Sequence, residues 1–342
     1  MTPEKTSDGA QAHNILVALC PEPSVEHEEA ETLKAAAAYA EASGGRVALL
    51  AVAEPPAELD RIARAAGVAR QEIEKRLLAD ARARAEAIVR RAAPDLDAEI
   101  DICIGKPFLE IVRCAMARNI DIVIKTAEAL SAGPQGLFAS TDQHLLRKCP
   151  ATVWLRKRGE TSTPKTVLAA VDVDEATAVE PETLAGLNRR ILETSVRVAA
   201  GRDAVIYLLH AWDAPGEGLV RLWANAPDGD RAAADYVSDV QSTHRRALDE
   251  IAARARKWAA SEGIKGIKIQ SRLERGGARQ VIPAQARALK ADIVVMGAIA
   301  RTGVPGFIIG NTAEDILNSI DCSVAAVKPP NYVSPLSFDD AV

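Results

Sequence analysis

The chain repeats itself. Six residues of its first half, Gly105, Ile111, Ala115, Asp121, Ile122 and Val123, recur at one constant offset as Gly276, Ile282, Ala286, Asp292, Ile293 and Val294. Ile15-Leu16 likewise answers Val167-Leu168, and Cys149 nearly matches Cys322. A duplication constrains the fold strongly, because an arrangement that suits one copy must suit the other. The first copy alternates apolar runs with amphipathic stretches. NILVALCP, RVALLAVAEP, EIDICIG, IDIVIKTAE and ATVWLRK read as strands; 26–43, 68–92, PFLEIVRCAMARN and STDQHLLRK read as helices. The second copy runs TVLAAVDVD, a helix near 182–200, DAVIYLLHAWD, a helix near 240–262, IKIQSRLERG, a helix near 278–290, DIVVMGA, NTAEDILNSI and SVAAVKP. Short continuous apolar runs between helices mark parallel strands buried on both faces. The pattern predicts an α/β chain: two tandem open parallel five-stranded sheets with helices on both faces.

At 342 residues the length suits two domains. The boundaries expected are a disordered stretch at 1–12, a first domain at 13–158, a polar linker at 159–164, a second domain at 165–330 and a loosely docked tail at 331–342. The second domain's extra length falls between Asp213 and Asp239, where Gly, Pro and Asp predict a loop over the sheet edge. Aromatics are only 4%, so Ala, Val, Ile and Leu must fill both cores. With a net charge of −5 and no basic stripe, a nucleic-acid or anionic-membrane surface is excluded. The charges of EIEKRLLADARARAEAIVRR alternate in sign and read as a solvated helix face. No run approaches the roughly 18 apolar residues of a membrane span, and MTPEKTSDGAQAH lacks the apolar core of a leader. Five cysteines without metal spacing suit reduced thiols, and the cytoplasm is the expected compartment.

The chemistry concentrates in VVMGAIARTGVPGFIIGNTAEDIL, residues 294–317. An apolar strand ends at Met296-Gly297, a loop of small residues follows, and Gly310-Asn311-Thr312 opens a helix. Such backbone aims N–H groups and a helix dipole at one small volume, which suits phosphate. Asn311 also fits a helix N-cap, with Glu314 completing a capping box, and that role competes with phosphate for the same N–H groups. Asp172 and Asp174 fall at the carboxyl end of the second copy's first strand, where open α/β sheets bind ligands. They suit Mg²⁺ with a phosphate, or simply the capping of a turn, with Asp172 facing the ligand and Asp174 exposed. His210 ends the neighbouring strand as a ligand contact or a structural histidine.

A strand ending in G-x-x-G, a nine-residue gap and then G-S or G-N opening the last helix resembles the universal stress protein family. Here the match is ARTGVPGFIIGNTAEDIL followed by VKPPNY, with STDQHLLRKCPATVWLRK in the first copy, and the chain is most similar to the tandem, E-type members over residues 14–330. The resemblance implies the family's five-stranded parallel α/β fold and an ATP site, with Mg²⁺ accompanying the nucleotide. Carried over by position, it implies nucleoside contacts at Val171 and Asp172. A strand end at Met296 and Gly297, a loop position at Ala300, and a phosphate end at Gly310, Asn311 and Thr312 complete the implied site. Ala300 stands where the family has its second Gly, and Asn311 where binding members carry Ser or Thr. A methyl at 300 restricts backbone approach. In the first copy Cys20 replaces the Asp and Thr126 the Gly, so that copy is not expected to hold ATP.

No nucleophile–base pair, metal-ligand cluster or Walker lysine is visible, so the expectation is a stress-response binding protein and not an enzyme. A slow ATPase stays open, as does an interaction or apolar-ligand module that has lost the nucleotide. The last strand of each copy, ending VWLRK and AAVKP, is apolar and is the expected seam of an intrachain pseudo-dimer.

Overall fold

The computed structural model describes residues 13–20, 25–96, 98–128, 140–160, 163–174, 181–201, 203–224, 228–298 and 310–336. Two compact units divide the chain, one reaching Thr126 and the other starting at Ala127. In the first unit the order is β1 (Asn14–Leu19), α1 (Glu26–Ser43), β2 (Arg46–Ala53), α2 (Leu59–Ala66), α3 (Arg70–Ala92), β3 (Ile100–Ile104), α4 (Pro107–Ala117) and β4 (Ile122–Thr126). Its strands are parallel in the order β3-β2-β1-β4, with Ile15 opposite both Val47 and Ile122. Only Ala81, Ala85 and Ile88 of α3 are buried, one narrow face at helical spacing, and the charged remainder is the solvated face that the alternating signs predict. Helix α1 stops at Gly44, whose φ of 59° is the left-handed conformation that closes a helix with two backbone bonds, to Ala40 and Glu41.

The second unit begins with the last two elements of the first copy, α5 (Ser140–Lys148) and β5 (Thr152–Arg156). It continues through β6 (Thr166–Ala170), α6 (Pro181–Ala199), β7 (Ala204–Trp212), α7 (Glu217–Trp223), α8 (Gly229–Ser261), β8 (Ile267–Arg275), α9 (Ala278–Leu289), β9 (Ile293–Gly297), α10 (Asn311–Leu317) and β10 (Ser323–Val327). Its sheet runs β5-β10-β9-β6-β7-β8. All neighbours are parallel except β5 and β10, which pair antiparallel with Leu155 opposite Val324 and Val153 opposite Ala326. Among the described residues each copy therefore supplies five strands, helices cover both sheet faces, and the two apolar last strands do meet.

Polar contacts reinforce that pairing. Arg147 of α5 forms an ion pair with Glu314 of α10. The Lys157 N–H donates to Ser323 Oγ at 2.9 Å, and the Ser323 N–H donates to Glu160 Oε1 at 3.1 Å. Burial holds the Glu160 carboxyl above the usual carboxylate range. Beyond β10 the chain satisfies three successive carbonyls at the C-terminus of α5, which no helix can satisfy internally. Lys328 Nζ donates to Leu146 O, Tyr332 Oη to Arg147 O at 2.6 Å, and Ser334 Oγ to Lys148 O at 2.7 Å. Lys328 is fully buried, and burial pushes its ammonium down to about 8. A cation suits a helix C-terminus, where the dipole is negative.

Two expectations are corrected here. The tail after Pro330 is docked through Leu336 by these side-chain bonds, because Tyr332 and Ser334 supply donors that the carbonyls need. The segment expected as a loop between Asp213 and Asp239 forms α7 and the first turns of a 33-residue α8. Ala232, Ala233 and Ala234 favour helix more than the flanking Gly and Asp oppose it, and Asp230 sits favourably in the first turn.

Candidate functional site

Parallel pairing of β6 with β9, Ala170 opposite Met296, brings the carboxyl ends of the two strands side by side. Val171 continues from β6, buried, with its N–H on Leu209 O at 3.0 Å. Asp172 is half-buried and fixed at its backbone by Asn188 of α6: its N–H donates to Asn188 Oδ1 at 3.2 Å and its carbonyl accepts from Asn188 Nδ2 at 2.6 Å. Its carboxylate accepts the Asp174 N–H at 3.1 Å, so the turn-capping role read from the sequence is filled. Asp174, expected to be exposed, is half-buried, because that bond folds it back over Asp172.

On the neighbouring strand Met296 is buried and Gly297 packs against α6. A Cβ built at 297 would stand 2.8 Å from Leu187 Cδ2, so a larger residue must displace that leucine. The Ala298 N–H returns to Val327 O at 3.1 Å and the Gly310 N–H reaches Ala298 O at 3.4 Å, which closes the base of the glycine loop. Ala300, Arg301, Gly303 and Gly306 lie outside the described residues. Gly310 is buried, whereas Asn311 and Thr312 are exposed.

The capping box read from the sequence is corrected. Gly310, and not Asn311, is the N-cap of α10, no side chain caps it, and Glu314 turns to Arg147 instead of back along its own helix. An ion pair with a guanidinium offers the carboxylate more than a backbone N–H does. The first-turn N–H groups of α10 thus have no side-chain cap, and Arg279 of α9 approaches Thr312 Oγ1 at 3.4 Å while pairing with Asp315 at 2.9 Å.

His210 is structural. It is buried at the end of β7, with Nδ1 3.2 Å from Val171 O. The Val173 N–H also approaches Nδ1, at 3.5 Å. The shorter contact is to a carbonyl, which only accepts, so the proton is assigned to Nδ1 and Nε2 then accepts from His244 Nδ1 of α8 at 2.9 Å. The two rings are nearly parallel, with centroids 5.0 Å apart, and Trp212 tilts against His244 at 6.1 Å. Burial pushes His210 down to about 4. His244 was missed in the sequence, since nothing in its helical surroundings marks it as the partner of a strand residue 34 positions earlier.

In the first copy Cys20, at the position of Asp172, is half-buried. Lys125 and Thr126 hold the positions of Met296 and Gly297, both buried; Lys125 Nζ donates to Thr126 O at 3.0 Å, and the Thr126 and Thr32 hydroxyls lie 2.8 Å apart. Among the described residues no group of three or more His, Cys, Asp or Glu is placed to hold a metal ion, and no helix is long and apolar enough to cross a membrane.

A family model described as the universal stress protein family matches residues 13–157 and again 187–328. Universal stress protein E of Escherichia coli K12 is 27% identical over 237 residues, 69% of this chain and 69% of the relative. Its homolog in Haemophilus influenzae is 25% identical over 213 residues, 62% of this chain and 63% of the relative. Among solved structures, a functionally unknown protein from Pseudomonas aeruginosa PAO1 superposes with a TM-score of 0.57 at 22% identity, covering 93% of each chain. A universal stress protein from Archaeoglobus fulgidus gives 0.53 at 16% identity, covering 93% of this chain and 99% of its own.

Proposed function

The chain belongs to the universal stress protein family, and from that premise we propose that it is a non-enzymatic stress-response protein whose second copy holds an adenine nucleotide, ATP with its Mg²⁺. One observation supports the reading: β6 and β9 pair up to Ala170 and Met296, so the Val171-Asp172 segment and Gly297 leave the sheet at the same carboxyl edge, where open α/β sheets take ligands. Val171 and Asp172 serve the nucleoside. Met296, Gly297 and Ala300 form the approach, and Gly310, Asn311 and Thr312 serve the phosphates. The absence of a side-chain cap on α10 supports that phosphate role, because N–H donors meet no competing carboxylate. Mg²⁺ bound with the nucleotide would neutralise phosphate charge, and Asp172 is the carboxylate that would hold it.

Calorimetry and thermal shift of the full chain with Mg-ATP test the reading. Saturable binding that Asp172→Ala weakens at least tenfold, with phosphate release at the background rate, is the expected result. No heat and no shift from a correctly folded sample would remove it. A second reading, an apolar-ligand or interaction module, is favoured by the Asp172 carboxylate already holding the Asp174 N–H and by the burial of Val171, Val173 and Met296 at the same strand ends. Native mass spectrometry of freshly purified protein separates the two, since an acyl-sized adduct favours the second and a nucleotide the first.

A further inference from the structure

Two cysteines whose spacing in the chain is no metal motif are brought together by the fold of the first copy. Asp101, Cys103 and Gly105 alternate along the edge strand β3, so they belong to one sheet face. Glu110, Cys114 and Arg118 follow one another at four-residue steps along α4 and its C-cap, so they form one row on the helix. The two rows are matched at both ends. A Cβ on Gly105 would stand 2.7 Å from Glu110 Cγ, and Arg118 forms an ion pair with Asp101. Cys103 and Cys114 are the middle members of these rows and therefore face each other. Both are half-buried, within reach of solvent.

We propose that Cys103 and Cys114 form a two-sulfur site for a soft, closed-shell cation, copper(I). The donor set selects the ion. Among the described residues no group of three or more His, Cys, Asp or Glu is placed to hold a metal. Zinc takes four ligands, and calcium or magnesium takes oxygens. The carboxylates of the two rows are already engaged, Glu110 with Arg113 at 2.7 Å and Asp101 with Arg118. Two thiolates without a third donor suit copper(I), which prefers sulfur and accepts two-coordination. The neighbouring wall agrees, since buried Val52 of β2 is the register partner of Cys103 and shares its sheet face.

Protons set the strength. Burial first, then Glu110, Cys114 and Asp101, push the Cys103 thiol up to about 11. Burial also raises Cys114, with Arg118 pulling the other way. Two protons must leave to solvent as the two sulfur–copper bonds form, so apparent affinity rises with pH, by about a hundredfold per unit while both thiols start protonated. The complex carries one negative charge where two bare thiolates carry two. That relieves the opposition of burial and of the carboxylates.

Anaerobic titration of the reduced full chain with copper(I), competed against bicinchoninate between about pH 6 and 8, tests the site. Wild type is expected to take up a single equivalent, more tightly as pH rises. X-ray absorption of that complex should show two sulfur donors and no nitrogen or oxygen. Cys103→Ser and Cys114→Ser should each weaken binding about a hundredfold or more while keeping the wild-type circular dichroism. Cys20→Ser, which removes the other half-buried thiol, should bind as wild type does. If a serine variant fails to fold, the sulfur count in the wild-type complex decides. A wild type that takes up no copper, folded serine variants that bind as tightly, or a donor set other than two sulfurs overturns the proposal.

Discussion

The carboxyl ends of the two copies' strands solve one packing problem in opposite ways. In the first copy the strand ends are closed by the chain's own polar groups: Thr126 shares a hydrogen bond with Thr32, and buried Lys125 donates to the Thr126 carbonyl. In the second copy the matching positions are Met296 and Gly297, and Gly297 leaves only enough room for Leu187. The first strand tells the same story, with Cys20 in one copy and Asp172 gripped by Asn188 in the other. Strand register extends the contrast to the second strand, where buried Ala51 stands in the place of His210 and its partner His244. At the first copy's strand ends the chain's own polar groups meet one another, while the second copy has a glycine, a carboxylate and a helix start without a side-chain cap at its edge. Two copies of one strand topology can therefore carry different chemistry at their strand ends.

Moving the lysine across breaks the comparison most severely. Met296→Lys puts an ammonium at a strand position that now buries an apolar side chain, and should cost about 3 kcal/mol or more in urea denaturation. A loss under 1 kcal/mol would mean that the two strand ends are interchangeable after all. The next effect is on pH dependence. His210 titrates at about 4 in the folded chain and near its ordinary 6.5 when unfolded. The unfolded state then binds the extra proton between those values, so stability present above pH 6.5 falls as pH drops towards 4, by roughly 2–3 kcal/mol. His210→Ala, which copies Ala51 into the second copy, should flatten that slope; an unchanged slope assigns the acid sensitivity elsewhere. The smallest change is Thr126→Val, which keeps shape and removes one buried hydroxyl pair. It should cost about 1–2 kcal/mol in chemical denaturation and leave any Mg-ATP binding untouched, since the nucleotide is proposed for the other copy.

Much of this was legible in the chain because duplication and strand periodicity are local signals. Ten apolar runs map onto ten strands, and the apolar last strands found each other. What escaped depended on distant partners. Glu314 sits at the right spacing for a capping box, yet Arg147, 167 residues away, claims it. Tyr332 and Ser334 look like an unstructured tail until the open carbonyls of α5 are known. The Gly-, Pro- and Asp-rich stretch before α8 read as a loop because turn formers at its ends masked the alanines within it. Turn capping was one of two roles legible for the carboxylates at 172 and 174, but no spacing rule could tell that the Asp172 carboxylate takes the Asp174 N–H.

The antiparallel union of β5 with β10 has a consequence for how the chain is made. Lys157 and its partner Ser323 lie 166 residues apart, so on the ribosome the first copy's final strand emerges long before the strand that completes it. Until then TVWLR presents an apolar edge with unpaired N–H and C=O groups, the kind of surface that other nascent chains can extend. Synthesis thus runs from an open first half to a closed whole, and a chain halted before Ser323 carries that edge uncovered. Vectorial synthesis, rather than the finished fold, is where this architecture is most exposed to aggregation.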